Sequence, residues 1–465
     1  MKRIWKSIMA VLSVAILGGS LASCAESAYD IAVRNGFVGT EKEWIQSLRG
    51  ADGEDASGVT AQDLYQAAVE DGFSGTYLDF CREVLKFEVQ EDNDVDLIAK
   101  NMTSVVSIYC GFSRTIVGGG WWQPTQTEYY SSAGSGVVLN IDKETGNALV
   151  VTNYHVVYDA GTSTASAGDI SKNIYLYPYG SLNGFSAEDG DTLGTGIQAT
   201  FIGGSMDYDI ALLEVRGNDI LKESILTAAE MGDSNEIVVG EKVFAIGNPD
   251  GAGISVTEGM ISVTSEYIAM SALDGRDENG DRYVDEVPFR VMRTDAAING
   301  GNSGGGLFDK SGKLVGIVNA KSIGSETDNM GYSLPITQVK YVCNNILANG
   351  GKVKVATLGV MVSITESKAY YNEQGTLSIF EKFEIATAAT TGASSYGKLT
   401  AGDQFKEIQI NNGEWHVFTR RYELNDLLIS VKKGDTVRFK VVNSNGNEET
   451  VEIVFDNDAY FTLYK

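Results

Sequence analysis

The chain has 465 residues, a formal net charge of −26 and 43% hydrophobic residues. A chain of this length exceeds one hydrophobic core, so about two to four domains are expected. The acidic balance argues against nucleic acid as a partner, because that affinity comes largely from Lys and Arg at phosphates.

The N-terminus has the pattern of a secretory signal. Three basic residues among the first six precede an apolar run from Ile8 to Leu17, and Leu21-Ala-Ser-Cys24 follows. This order predicts a signal peptide over residues 1–24 rather than a membrane span. The final four residues resemble the lipobox of bacterial lipoproteins, in which the cysteine is diacylated; an ordinary signal with an accidental cysteine is the alternative. Two acyl chains suffice for anchoring, so we expect lipidation at Cys24 and a location on the extracytoplasmic face of the cell membrane.

Three further cysteines follow Cys24, namely Cys81, Cys110 and Cys343. An odd and sparse set does not indicate a disulfide framework. None of the three has the spacing of a metal ligand, so the sequence predicts buried thiols.

Residues 25–90 contain an internal repeat, with copies at 28–48 and 64–84. In each copy an apolar helical face ends at a glycine, Gly36 or Gly72, as a helix C-terminus would. A threonine three residues before an acidic residue then marks the next helix start. The pattern predicts two small helical hairpins, which serve either as a spacer from the membrane or as a binding module.

Residues 91–350 have a different sequence pattern, in which short β-type runs are separated by turns that contain glycine. These runs are Ser104–Tyr109, Ser135–Asn140, Ala148–Thr152, Asp209–Val215 and Lys242–Ile246. Such spacing is typical of paired barrels or a sandwich. A helix is predicted from Thr337 to Leu347 and a linker from Ala348 to Gly351. Residues 352–465 then carry their own strands and one helix near Arg420 to Ile429, enough for a further domain.

One serine stands inside an unusual cluster of glycines, since five of the fourteen residues from Asp295 to Phe308 are glycine. Glycine costs roughly 0.5–1 kcal/mol relative to alanine in regular structure, so the cluster indicates a backbone shape that other residues cannot adopt. The hydroxyl of Ser303 is a weak nucleophile unless a base takes its proton and a third group orients that base. His155 follows a strand-like run, and Asp209 begins another. The order His155, Asp209, Ser303 is that of chymotrypsin-type proteases.

The residues Gly301-Asn-Ser-Gly-Gly305 also satisfy the G-x-S-x-G pattern of α/β-hydrolases. That fold places the serine at the turn of a strand–turn–helix unit. It also needs a histidine later in the chain than the serine. Of the two histidines in the sequence, only His416 follows Ser303, and it falls in the C-terminal domain. We interpret His416 as a solvated side chain.

Several segments, in order, resemble the HtrA/DegP-like serine proteases. They are Thr152-Asn-Tyr-His-Val156, Tyr208-Asp-Ile-Ala211, Ala245-Ile-Gly-Asn-Pro-Asp-Gly251, Ser255-Val-Thr-Glu-Gly-Met-Ile-Ser262, Thr294-Asp-Ala-Ala-Ile-Asn-Gly-Gly-Asn-Ser-Gly-Gly305, Leu314-Val-Gly-Ile-Val-Asn319 and Gly331-Tyr-Ser-Leu-Pro335. The resemblance covers about residues 100–345 and implies a chymotrypsin-like double β-barrel. It implies that His155 is the general base, Asp209 its orienting carboxylate and Ser303 the nucleophile. It further implies an oxyanion hole made by the backbone N–H groups of Gly301 and Ser303.

The chain departs from the family at two glycines. The family commonly has proline where Gly300 and Gly306 stand, so we expect a softer serine loop. A protease-like fold used only for binding is the alternative to an active enzyme.

The C-terminal domain resembles the PDZ domains of these proteases through Leu358-Gly-Val360, which corresponds to their carboxylate-binding loop. In this interpretation a peptide C-terminus adds as an edge strand beside Leu358, Gly359 and Val360. The segment from Met361 to Thr391 matches poorly, so a PDZ-like fold without peptide binding is the competing interpretation.

An acidic segment precedes the serine loop. Asp277, Asn279, Asp281 and Asp285 occupy positions 1, 3, 5 and 9 of a calcium-loop pattern. Arg282 replaces the glycine expected at position 6, and Pro288 replaces the glutamate at position 12. Both a calcium site and a solvated acidic hairpin stay open; no cofactor is required by the chemistry.

The combined prediction is a mainly β protein: small helical repeats, a double β-barrel protease domain and a PDZ-like domain. Its predicted function is a lipid-anchored serine endopeptidase. The resemblance implies unfolded or damaged envelope proteins and peptides as substrates, and a homotrimer. The alternative function is a holdase chaperone or a peptide-sensing scaffold with an idle protease site.

Overall fold

The computed structural model describes residues 68–69, 73, 94–116, 126–159, 169–271, 275–276, 282–283, 286–319, 330–372 and 375–464. The lipobox cysteine, almost all of the two helical repeats and the four predicted calcium ligands lie outside these ranges. Asp94–Lys465 forms one compact unit. In the described part of the chain, no helix is both long and apolar enough to span a bilayer.

The N-terminal half of the larger unit is a closed six-stranded barrel in the order β1-β2-β3-β10-β9-β6. A short helix, α1 (Asp94–Met102), precedes it. The strands are β1 (Val105–Ile116), β2 (Gln126–Asp142), β3 (Asn147–Thr152), β4 (Tyr158–Asp159), β5 (Asp169–Ile170), β6 (Asn173–Tyr177), β7 (Phe185–Ser186), β8 (Gly190–Asp191), β9 (Ile197–Ser205) and β10 (Ile210–Val215). Two short helices accompany them, α2 (Tyr154–Val157) and α3 (Asp219–Glu223).

Strand β1 contributes side chains to two hydrophobic cores. On β1, Val106, Ile108 and Cys110 are fully buried in the barrel core. Val105, which points to the opposite face, belongs instead to the core shared with the second barrel and the C-terminal domain. Successive side chains of a strand point to opposite faces, so a strand with both faces buried reads as a continuous apolar run.

A second closed barrel follows, in the order β11-β12-β15-β18-β17-β16. Its strands are β11 (Lys242–Gly247), β12 (Ser255–Ser271), β15 (Glu286–Thr294), β16 (Gly306–Asp309), β17 (Leu314–Asn319) and β18 (Gly331–Pro335). Between β12 and β15 lies a two-stranded hairpin of β13 (Gly275–Arg276) and β14 (Arg282–Tyr283). A 3-10 turn, Pro249–Gly251, follows β11. The predicted double barrel is therefore confirmed, and helix α4 (Ile336–Ala348) closes it within one residue of the prediction at each end.

The C-terminal region contains a sheet in the order β20-β21-β22-β24-β25, with β23 paired to β22 and a separate β19–β26 pair. Its elements are β19 (Val353–Ala356), β20 (Met361–Tyr371), β21 (Leu377–Thr387), β22 (Gln404–Ile410), β23 (His416–Val417), α5 (Tyr422–Ser430), β24 (Thr436–Val442), β25 (Glu448–Val454) and β26 (Phe461–Tyr464), with a 3-10 turn at Asp458–Tyr460. The helix predicted near Arg420 to Ile429 is α5, which starts two residues later than expected.

His416 is half exposed but is not merely a solvated side chain, because its Nε2 lies 2.9 Å from Glu423 Oε2.

The C-terminal region is packed firmly on the second barrel. Helix α5 lies against α4, and Asn345 of α4 donates to the carbonyl oxygens of Lys354 (2.8 Å) and Ile429 (2.6 Å). Arg290 of β15 forms a buried ion pair with Asp426 of α5. Burial raises the pKa of the Asp426 carboxyl, and the neighbouring guanidinium opposes that shift.

The expected linker is also fixed in place. The amide of Gly351 donates to Ile346 O at 2.9 Å, which caps α4, and the carbonyl of Gly351 accepts from Gly204 N at 3.1 Å. The connection between the two regions is thus an ordered turn against the first barrel.

Candidate active site

The pairing of two neighbouring strands brings His155 and Asp209 together. Thr152 of β3 lies opposite Ala211 of β10. The chain turns into α2 directly after β3, and Asp209 directly precedes β10, so both side chains emerge at the same end of the barrel. His155 Nδ1 lies 2.7 Å from Asp209 Oδ2, and the backbone N–H of His155 donates to Asp209 Oδ1 at 3.0 Å.

The two oxygens of Asp209 fix both the ring and the backbone of the histidine. The carboxylate is 1% exposed, and the histidine side chain is 18% exposed. An ionised carboxylate can only accept, so Nδ1 carries the proton and Nε2 is left as the basic nitrogen. Asp209 has φ 50°, a left-handed conformation that Asp adopts more readily than most residues.

Asn319 is a site residue that the sequence analysis did not identify. It ends β17 in the second barrel, is 1% exposed, and donates from Nδ2 to Asp209 Oδ2 at 3.0 Å. The Asp209 carboxylate is therefore held from both barrels. The sequence contained this residue in the run Leu314–Asn319, but the strand pattern alone gave no reason to assign it a role.

Ser303 lies at the seam between the barrels. It is 5% exposed, and its carbonyl accepts from the backbone N–H of Ser135 on β2 at 2.8 Å. A Cβ added to Gly134 would lie 2.6 Å from Val156 Cγ1 and 3.3 Å from Ser303 O. One glycine of β2 thus contacts both the serine backbone and the residue that follows His155.

Two glycines of the serine loop have conformations that only glycine adopts easily. Gly301 has φ 91° and Gly304 has φ 83°. A Cβ on Gly301 would lie 2.2 Å from Asn248 O, and one on Gly304 would lie 2.1 Å from Ser135 O. The loop therefore approaches two other backbone segments too closely for any side chain at these positions.

The peptide that joins Gly300 to Gly301 is oriented by a hydrogen bond. The amide of Asp250, in the Pro249–Gly251 turn, donates to Gly300 O at 2.7 Å. In a trans peptide the C=O and N–H point in opposite directions, so the Gly301 N–H points away from that turn. The hydrogen bond ties the start of the serine loop to this neighbouring turn.

The hydrolase interpretation of the glycine pattern is wrong. Ser303 is followed by β16 (Gly306–Asp309), not by the helix that a nucleophile elbow requires. His416 lies on β23 of the C-terminal sheet, where it contacts Glu423 and Phe418.

The predicted peptide-binding residues connect β19 to β20. Leu358 is 4% exposed, and its carbonyl accepts from Ser395 Oγ at 2.8 Å. Gly359 has φ 75°, and Val360 directly precedes β20, which within the described residues pairs with β21 alone. Their role in peptide binding stays a prediction.

The two barrels and the His155–Asp209 pair define a chymotrypsin-fold peptidase domain. The family "Trypsin-like peptidase domain" matches residues 134–317. Serine protease Do-like HtrA of Bacillus subtilis (strain 168) is 30% identical over 329 residues, which cover 70% of this chain and 64% of that protein. Serine protease Do-like HtrB of the same organism is 32% identical over 307 residues, which cover 63% of this chain and 58% of that protein.

Among solved structures, the HtrA-type protease AlgW with decapeptide aligns with 80% of this chain and 98% of its own, at 23% identity and a TM-score of 0.45. This chain spans less than two thirds of the length of the two Bacillus relatives. The resemblance to HtrA/DegP-like serine proteases is confirmed: the chain carries a trypsin-like peptidase domain with a chymotrypsin-like double barrel and is similar in sequence to HtrA-type proteins.

Proposed function

We propose that this chain is an extracytoplasmic serine endopeptidase that cleaves unfolded or damaged proteins. The observation that carries the proposal is the contact of His155 Nδ1 with Asp209 Oδ2 at 2.7 Å, beside a serine loop that is anchored to the same barrel. A histidine oriented in this way has its second ring nitrogen available to take a proton from a hydroxyl.

In the proposed reaction, Ser303 Oγ attacks the carbonyl carbon of the scissile peptide while His155 Nε2 takes its proton. The backbone N–H groups of Gly301 and Ser303 stabilise the negative charge on the attacked oxygen. His155 then gives the proton to the leaving amine, and an acyl group stays on the serine. Water activated by His155 hydrolyses that ester and restores the enzyme.

The electrostatic part of this mechanism depends on a preformed loop. One oxyanion donor typically contributes about 2.7–4 kcal/mol to lowering the barrier. The Gly300–Gly301 peptide supports such a donor at Gly301, since the Asp250 N–H orients this peptide through Gly300 O.

The substrate class, location and assembly follow from family likeness and from the N-terminal sequence. Similar proteins include one named as a probable periplasmic serine endoprotease, which supports an extracytoplasmic site of action. Lipidation of Cys24, peptide binding at Leu358, Gly359 and Val360, and a homotrimer are parts of the same proposal.

Activity is tested with the full chain purified in detergent. The protein is incubated with an unfolded protein substrate and, separately, with a fluorophosphonate probe, alongside Ser303→Ala. We expect cleavage and labelling in the wild type and neither in the variant. Protection of clients from aggregation without cleavage or labelling would favour the holdase function instead.

Calcium at Asp277, Asn279, Asp281 and Asp285 is a separate element of the proposal. Titration of calcium into chelator-treated protein should raise its melting temperature and change its rate of proteolysis, because an ion that binds the folded state stabilises it. An unchanged melting temperature together with an unchanged rate of proteolysis would favour the alternative interpretation, a solvated acidic hairpin.

A further inference from the structure

Strand β2 of the first barrel places one buried serine, Ser135, against the loop of Ser303. Ser135 is 0% exposed. Its Oγ donates to Gly301 O at 2.7 Å, and its backbone N–H donates to Ser303 O at 2.8 Å. A single residue of the opposite barrel therefore binds both residues that are predicted to form the oxyanion hole.

The same hydroxyl also orders the turn that anchors the start of the loop. Ser135 Oγ accepts from the backbone N–H of Asn248 at 2.8 Å. Asn248 begins the turn whose Asp250 N–H holds Gly300 O at 2.7 Å. A hydroxyl can donate once and accept at the same time, so serine satisfies a carbonyl and an amide that are both buried here.

The backbone carbonyl of Ser135 completes the contact. It accepts from Thr152 Oγ1 at 2.6 Å, and a Cβ on Gly304 would lie 2.1 Å from it. The loop on the C-terminal side of the nucleophile thus packs directly on Ser135, as the N-terminal side does through Gly301.

We propose that Ser135 is a positioning residue for the oxyanion hole, acting through the backbone of Gly301 and Ser303. With Gly300 O and Gly301 O both bound by neighbours, the intervening N–H of Gly301 has one orientation available. Loss of the Ser135 hydroxyl leaves Gly301 O and the Asn248 N–H without this partner and frees the loop to rotate. The role rests on the proposed function, because it concerns how the same site stabilises charge.

The test compares Ser135→Ala and Ser135→Cys with Ser104→Ala in the full chain. Ser104 is a suitable control because it is also buried, at 2% exposed, and its Oγ donates to a backbone carbonyl, that of Asn101, at 2.7 Å. Steady-state hydrolysis of a quenched peptide, fluorophosphonate labelling and amide hydrogen exchange over residues 295–305 are measured for each protein.

For Ser135→Ala we expect kcat to fall about 10- to 100-fold, since a displacement on the order of 1 Å can cost about 100-fold. KM should stay within about threefold, because the contact acts on the transition state. Exchange over 295–305 should accelerate. Ser135→Cys fills the same space with a weak donor, so its kcat should stay close to that of Ser135→Ala. Ser104→Ala should keep the wild-type kcat and exchange.

Wild-type kcat and wild-type exchange in Ser135→Ala would overturn the proposal, as would full recovery in Ser135→Cys, which would show that only packing matters. Should Ser135→Ala fail to fold, Ser135→Cys alone decides between these outcomes. Absence of labelling in the wild type would instead refute the proposed function, and exchange over 295–305 would still decide whether Ser135 holds the loop.

Discussion

The serine loop offers a sharp test of the site, because two adjacent glycines differ completely in their surroundings. A Cβ on Gly301 would lie 2.2 Å from Asn248 O and 2.7 Å from Asp250 N, with φ at 91°. A Cβ on Gly300 would meet nothing closer than Asp250 Oδ1 at 3.9 Å. Alanine substitution at each position therefore separates the oxyanion geometry from the general effect of stiffening the loop.

The magnitude for Gly301→Ala follows from these distances. An ordinary contact begins near 3.4 Å, so the backbone must shift by about 1 Å, and the left-handed conformation adds roughly 1–2 kcal/mol of strain. A shift of that size removes one oxyanion donor, which typically lowers kcat about 10²- to 10³-fold. The strain is local, and the protein should stay folded.

Gly300→Ala should behave in the opposite way. Its kcat is expected within about threefold of wild type, as for other substitutions that meet open space. The free energy of unfolding should rise by about 0.4–1 kcal/mol, because alanine restricts the unfolded chain more than glycine does.

The assay measures kcat and KM on a quenched peptide, with thermal unfolding of each protein as the control for folding. A Gly301→Ala enzyme with near wild-type kcat would refute the assignment of its N–H to the oxyanion hole. An equal loss of activity in Gly300→Ala would show that loop stiffness, not the donor, controls the rate.

Three further predictions concern other buried groups. Asn319→Ala should lower kcat about tenfold or more, because a hydrogen bond to a charged group contributes about 1.5–3 kcal/mol; unchanged kcat in the peptide assay would exclude its role at Asp209. Cys110 and Cys343 should resist alkylation at pH 8 in the folded protein and react after unfolding. Burial raises the pKa of each thiol to about 12, which leaves only about one thiol in 10⁴ ionised at that pH. Mass spectrometry of the alkylated peptides measures the reaction, and labelling of the native protein would contradict the burial of these thiols. Asp426→Ala should lower the free energy of unfolding by about 3–5 kcal/mol, because it leaves the buried Arg290 without its carboxylate partner. A denaturant midpoint close to that of wild type would show that this ion pair does not hold the C-terminal region on the second barrel.

The sequence by itself indicated the candidate catalytic residues and several of the strands and helices. Two histidines in the whole chain made the search for a base short, and the glycine cluster marked Ser303. Helix α4 and the five predicted β-type runs lie close to a helix and five strands of the structure, namely β1, β2, β3, β10 and β11. These signals are local: strand alternation, turn glycines and rare reactive side chains are legible within about ten residues of chain.

Only the tertiary structure decided which residues support that chemistry. Asn319 reaches Asp209 across 110 positions of sequence, and Ser135 reaches Gly301 across 166. The docking of the C-terminal region likewise depends on Arg290 and Asp426, which are 136 positions apart. Such contacts depend on which strand ends the two closed barrels place opposite each other. The residues next to a serine, asparagine or arginine in the sequence do not indicate which distant group its side chain will contact.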